Sequence, residues 1–290
     1  MAVYERTYKR YVGSTTPQWS RFLVLPRYAF LEVFRSKIFV VFFVLCLLPP
    51  LIQAGRIYLF HNAAKIFSAV PDAAQAFGRF LAIDADFFGV VMAVQCAFAF
   101  FAALFVGPGL VSQDLANNGL PLYLSRPISR AEYVLGKFSV LGILLSLITW
   151  VPGLALYALQ SGYAGWSWGF ENLRLATSIF VGSWAWIFTV SLLALALSAW
   201  VKWRPVAGFM MFLVFLGGGF FSLVINSLFR TDWGHLANLG MIIDRIWEGL
   251  FGLRPSADLP VWAAWLALAA FCSACIYLLD RKIRAYEVVS

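Results

Sequence analysis

Of the 290 residues, 62% are hydrophobic and only 12% are charged, with a net charge of +8 and a mean hydropathy of +0.80. A soluble domain carries about 25% charged residues, so this composition could not cover a water-facing surface and excludes an aqueous globular protein. An integral membrane protein is expected, and 28 Phe with 12 Trp suit lipid-facing helices with interfacial anchors.

The N-terminal segment carries Arg6, Lys9, Arg10 and Arg21 before any apolar core, which begins near residue 38. A cleaved leader is therefore not expected, and this end is expected to stay in the cytosol. Residues 26–37, PRYAFLEVFRSK, fit a helix lying in the membrane interface. At 100° per residue, Phe30, Leu31, Val33 and Phe34 share one arc, while Tyr28, Glu32, Arg35 and Ser36 share another. Arg27 and Arg35 would meet headgroups there and Phe30 and Phe34 the acyl boundary. The alternative is a plain basic flank of the first span.

A bilayer-spanning helix needs about 20 mostly apolar residues. Six runs qualify: 38–58, 86–111, 133–159, 174–201, 205–229 and 261–280. An all-α membrane protein with six transmembrane helices is expected, and strand-type alternation is absent from these runs. Pro49-Pro50 would kink or end the first span. Gly217-Gly218-Gly219 in the fifth would allow a close helix approach or a hinge. Between the fifth and sixth spans, NLGMIIDRIWEGLFG puts Leu239, Ile242, Ile243, Ile246 and Leu250 on one helical face, with Asp244, Arg245 and Glu248 on the other. That pattern predicts an external amphipathic helix dipping into the outer leaflet.

Charge sets the expected orientation. Residues 1–37, 112–137, 202–204 and 281–290, with Asp280 at the end of the sixth span, hold 15 of the 22 Lys+Arg and 6 of the 14 acids, leaving 7 basic residues and 8 acids opposite. The termini and the 112–137 loop are then cytosolic by the positive-inside rule. The basic excess is spread over short segments, so no nucleic-acid partner is expected.

Little in the chain has the makings of an enzyme. His61 and His235 lie in different external segments, each without a ligand partner at helical spacing. Cys46, Cys96, Cys272 and Cys275 all fall in apolar runs and read as packing residues. No metal site is expected. Charged residues deep in a span mark ion paths; here Asp86 and Asp280 sit only at span ends. The in-span polar groups are hydroxyls and amides such as Gln95, Ser183 and Ser198, suited to helix–helix packing or to lining a substrate route. Gly136-Lys137 fails the phosphate-loop pattern, with Ala131 at the first glycine position and Phe138 at the last. Nucleotide is therefore expected on another chain.

The segment 112–138, SQDLANNGLPLYLSRPISRAEYVLGKF, is a polar island between two apolar runs. Gly119 and Pro121 break the chain, residues 120–125 suffice for one or two helical turns, and Arg126-Pro127 ends them. Ser129 and Glu132 have the spacing of a capping box at the start of the third span. Asp114, Asn118-Gly119 and the run YLSRPISRAEYVLGK (residues 123–137) make the chain resemble the ABC-2-type permeases, the membrane subunits of a class of ABC transporters. Asp114 stands where the family commonly has Glu, and Leu120 where Thr is usual.

That resemblance covers nearly the whole chain as one transmembrane domain, 1–290. It implies a bacterial inner (plasma) membrane protein, dimeric with a second copy of itself or with a related permease, and bound to two ABC ATPase subunits. ATP and Mg would be held by those subunits, with no cofactor on this chain. The 112–132 loop would be the coupling helix. Asp114, Gly119, Leu120, Leu122, Tyr123, Leu124, Arg126, Pro127, Arg130 and Glu132 form the implied ATPase contact, with the leucines and Tyr123 in the ATPase groove. Arg126 and Arg130 would pair with its acids or with lipid phosphates, or would simply serve topology. The implied function is export or movement of a hydrophobic or amphipathic substrate. The alternative is a membrane anchor that transmits ATPase work without moving a substrate.

Overall fold

The computed structural model describes residues 24–66, 81–117, 129–201 and 203–287. Among these residues every extended element is a helix. A short helix, α1 (Val24–Arg35), precedes the spans. Then come α2 (Lys37–Ile66), α3 (Ala85–Ala116), α4 (Arg130–Ile148) and α5 (Trp150–Ala164). They are followed by α6 (Trp166–Glu171), α7 (Leu173–Trp200), α8 (Arg204–Phe229), α9 (Leu239–Phe251) and α10 (Val261–Glu287). Among the described residues six stretches are long and apolar enough to cross a membrane: 37–62, 85–116, 130–164, 173–200, 204–229 and 261–283. They coincide with the six predicted runs, and the chain is a multi-pass membrane protein.

The core is built round α7. In α7, 78% of the most apolar stretch is buried, against 17% in α2 and in α8. Its closest neighbour is α3, and small residues set the distance. A Cβ on Gly107 would stand 2.6 Å from the Cβ of Ala194, so only glycine permits this approach. Apolar contact area alone does not drive helices together in lipid, whereas such close packing does.

Prolines shape three of the spans. Pro49 and Pro50 lie inside α2, which continues through both instead of ending there. The predicted third span is two helices, broken at Thr149 (φ −101°, ψ −90°), because Pro152 cannot donate to the carbonyl of Ile148. Pro50 leaves the carbonyl of Cys46 without a donor in the same way. Both free carbonyls are met by one side chain: Gln95 Nε2 of α3 donates to Ile148 O at 2.6 Å and to Cys46 O at 3.3 Å. Near Pro108, which has no N–H to donate to Leu104 O, α7 bonds into α3. Val111 N and Ser112 N donate to Ser198 Oγ of α7 at 3.0 and 2.9 Å, and that hydroxyl donates onward to Pro108 O at 2.8 Å.

The α9 helix forms as its pattern predicts, capped by Asn238 at the start and by Gly252 at φ 75° after its end. Its surroundings differ from the expectation. Leu239, Ile242, Ile243 and Ile246 are buried against the protein core, where α9 packs on α7 and α10, and not against the outer leaflet. Arg174 and Ser178 of α7 bind its last carbonyls, with Arg174 Nη2 to Gly249 O at 2.9 Å and Arg174 Nε to Leu250 O at 2.8 Å. In the glycine triplet, a Cβ on Gly218 would lie 2.5 Å from Ala237 O, which favours close approach over a hinge at that position.

Candidate functional site at the loop between α3 and α4

The island identified in the sequence joins α3 to α4. Gly119, Leu120, Leu122, Tyr123, Leu124, Arg126 and Pro127 lie outside the described residues, as does the short helix expected there. Its two roots are described. At the far root, Ser129 and Glu132 form the expected capping box: Ser129 N–H donates to the Glu132 carboxylate at 2.6 Å, and Glu132 N–H donates to Ser129 Oγ at 3.2 Å. Glu132 thus has work within its own chain, fixing where α4 begins. Arg130 is the first residue of α4.

The near root is tied to α4 by three side chains. Tyr133, fully buried, donates its hydroxyl to Asp114 Oδ2 at 2.7 Å. The Lys137 ammonium lies 2.8 Å from the same oxygen and 5.6 Å from the Tyr133 ring centroid. Tyr133 and Lys137 are four residues apart on α4 and so share a face. With one side chain at 11% and the other at 16% exposure, the Lys137–Asp114 pair is shielded from water. Hydrogen bonds to a charged acceptor contribute about 1.5–3 kcal/mol each, so the loop's ends are fastened with little freedom to part.

Neither Tyr133 nor Lys137 was among the predicted contact residues. The signal was present in the i, i+4 spacing and in the lone acid at the end of α3, but the tie joins residues on opposite sides of the loop. Beside it opens a cavity of about 640 Å³ whose lining includes Glu32 of α1, Asp114, Lys137 and Arg204. On α1, Phe30 and Phe34 stack at 6.2 Å, and Phe34 meets Phe39 and Phe43 edge-on at 5.6 and 5.4 Å. Ala29, Phe30, Val33 and Phe34 pack on the core, whereas Leu31, assigned to that face by its angle, is 64% exposed alongside Arg27 and Arg35. The helix rests on α4 and α2, which draws its buried stripe toward Ala29.

The sequence profile of the ABC-2 family transporter proteins matches residues 27–234, from α1 to the turn before α9. This chain belongs to that family. No curated protein matches it. Membership of the ABC-2 family makes the chain a membrane subunit of an ABC transporter and implies partnership with ABC ATPase subunits. In this ABC-2 protein the histidines stay apart: His61 Nε2 pairs with Gln160 Oε1 at 3.1 Å and His235 Nδ1 with Ser222 Oγ at 3.1 Å. Among the described residues no group of three or more His, Cys, Asp or Glu could hold a metal ion. The four cysteines are free thiols.

Proposed function

We propose that this chain is the permease through which two separate ATPase subunits move a hydrophobic or amphipathic substrate, driven by the loop between α3 and α4. The observation that carries the reading is the Asp114–Tyr133–Lys137 tie. A loop whose roots are locked together moves α3 and α4 as one body when it is pushed. That push reaches the central helix α7 through Ser198, which is bonded to the turn of α3 that follows Pro108. A loop with independent roots would absorb the same displacement in its own bending.

The whole chain, 1–290, then acts as one transmembrane domain in a bacterial inner membrane, with both termini and the loop in the cytosol. It pairs with a second copy and binds no cofactor, while ATP and Mg are held by the partner ATPases. Leu120, Leu122, Tyr123 and Leu124 seat in the ATPase groove, with Arg126 and Arg130 beside its acids. The α1 helix lies in the interface, with Arg27 and Arg35 at headgroups. The charge asymmetry and the family's known partnership support this arrangement.

The test pairs the chain with an ABC ATPase subunit that co-purifies with it. Tyr123→Ala with Arg126→Ala is expected to abolish co-purification and stimulation of ATP hydrolysis. Unchanged values would sink the coupling role. In liposomes, ATP-dependent movement of a labelled lipid or amphipathic dye supports transport. Hydrolysis without movement of any such cargo would favour the mechanical anchor.

A further inference from the structure

Between α3, α7, α8 and α9 lies a second cavity, of about 340 Å³, remote from the loop. Its wall is aromatic, with Phe100, Trp186, Phe212, Phe215 and Trp247 in the lining. Phe100 and Phe215 meet edge to face at 4.9 Å, Trp186 and Phe215 at 5.7 Å, and Trp186 and Trp247 at 6.3 Å. The indole N–H groups are already committed, Trp186 to Cys96 O at 3.1 Å and Trp247 to Gly182 O at 3.2 Å. Each ring is therefore held by its N–H edge. Phe100 and Trp186 stand near the middle of α3 and α7, so the cavity reaches about mid-span depth.

One carboxylate, Asp244 of α9, lines this apolar space. Its neighbours' charges are spent elsewhere. Arg245 donates to Leu259 O and pairs with Glu248 at 3.5 Å, and Glu248 also accepts from Ser256 N at 3.0 Å. His235 faces Asp232 at 3.9 Å and Ser222 at 3.1 Å. Among the described residues Asp244 has neither a hydrogen bond nor an ion pair, and it remains exposed. Exposed on one side and desolvated on the other by the apolar cavity wall, its carboxyl is raised above the ordinary value, with the nearby Glu248 adding to the effect. An unpaired carboxylate at the rim of an aromatic cavity gives that cavity a place for a positive charge.

We propose that this cavity binds amphipathic organic cations, such as a quaternary ammonium, a phosphonium or a protonated amine on an apolar body. The aromatic rings hold the apolar part and attract the cation through their faces, and Asp244 neutralises its charge. An aliphatic lipid tail would need no carboxylate here and an anionic ligand would be repelled by it. As a statement about cargo the proposal rests on the permease reading; the binding itself does not.

The experiment uses the full chain in nanodiscs of neutral phosphatidylcholine, with empty nanodiscs as blank and without ATP or ATPase. Equilibrium dialysis measures tetraphenylphosphonium against tetraphenylborate, an anion of the same shape. Chain-specific binding of the cation alone is expected. Asp244→Asn should weaken it by about tenfold or more, and Phe215→Leu by several-fold. Asp244→Glu should retain most of it. Equal binding of both ions, an unchanged affinity in Asp244→Asn, or no binding above the blank would overturn the proposal. If Asp244→Asn fails to insert, Phe215→Leu decides between the same outcomes. A failure here leaves the coupling role standing, and a failure of ATP-driven transport leaves this site standing.

Discussion

The amide nitrogen of Gln95 stands 2.6 Å from the carbonyl of Ile148, the group that Pro152 leaves without its helical donor. The same nitrogen reaches Cys46 O, freed by Pro50. One buried amide therefore fastens two helices, each at a carbonyl that a proline leaves without its donor, to a third. Gln95→Leu orphans both carbonyls and is expected to cost about 1–3 kcal/mol for each, read as thermal unfolding of the purified chain. Gln95→Glu, protonated in this buried site, keeps one donor for two carbonyls and should cost less than Gln95→Leu. Restoring a helical donor by Pro152→Ala should shrink the cost of Gln95→Leu. Additive losses in that double-mutant cycle would refute the pairing.

The tie at the loop's roots predicts a separation of stability from coupling. Tyr133→Phe and Lys137→Met should each weaken Asp114's hold by about 1.5–3 kcal/mol. Both variants should still insert and bind the ATPase while stimulating its hydrolysis less. Full stimulation with a loosened root, measured as greater protease sensitivity of the loop, would count against transmission through this tie.

At the crossing of α3 and α7, Gly107→Ala forces two Cβ atoms to 2.6 Å and must part the helices. Overpacking of this kind costs about 1–3 kcal/mol. Ala194→Gly in the same chain should recover most of the lost melting temperature. A second substitution that merely adds its own loss would show that the contact is not what limits the approach.

Asp244 makes a prediction about pH. Its carboxyl is raised in the folded chain, so folding takes up a proton and gains stability in acid, where both states are protonated only below the ordinary carboxylate value. That contribution is present at low pH and is lost as pH rises through the raised value. Asp244→Asn should therefore melt slightly higher than the parent at neutral pH. The difference should close as pH falls below the usual carboxylate range. A variant less stable than the parent at neutral pH would mean that Asp244 has a stabilising partner.

Length and hydropathy made the six spans legible because a bilayer imposes both on any sequence that crosses it. The capping box was legible because Ser129 and Glu132 are local partners. The face of α9 was visible in the spacing of Leu239, Ile242, Ile243 and Ile246. Its neighbour was not, since periodicity gives the chemistry of a face and not what covers it. The break at Thr149 stayed hidden because averaging over a span blurs a single proline. Asp114 finds Tyr133 across a loop, and Gln95 finds Ile148 from 53 residues away. Such contacts follow from the packing of helices and have no local spacing to announce them.

The α7 helix grips α3 through Ser198 at one end and α9 through Arg174 and Ser178 at the other. A rod fastened at both ends imposes reciprocity. If displacement of the loop alters the affinity of the Asp244 cavity, occupancy of that cavity must alter the loop's equilibrium by the same factor. Cargo would then announce itself to the ATPase before any nucleotide is spent, and an empty permease would idle.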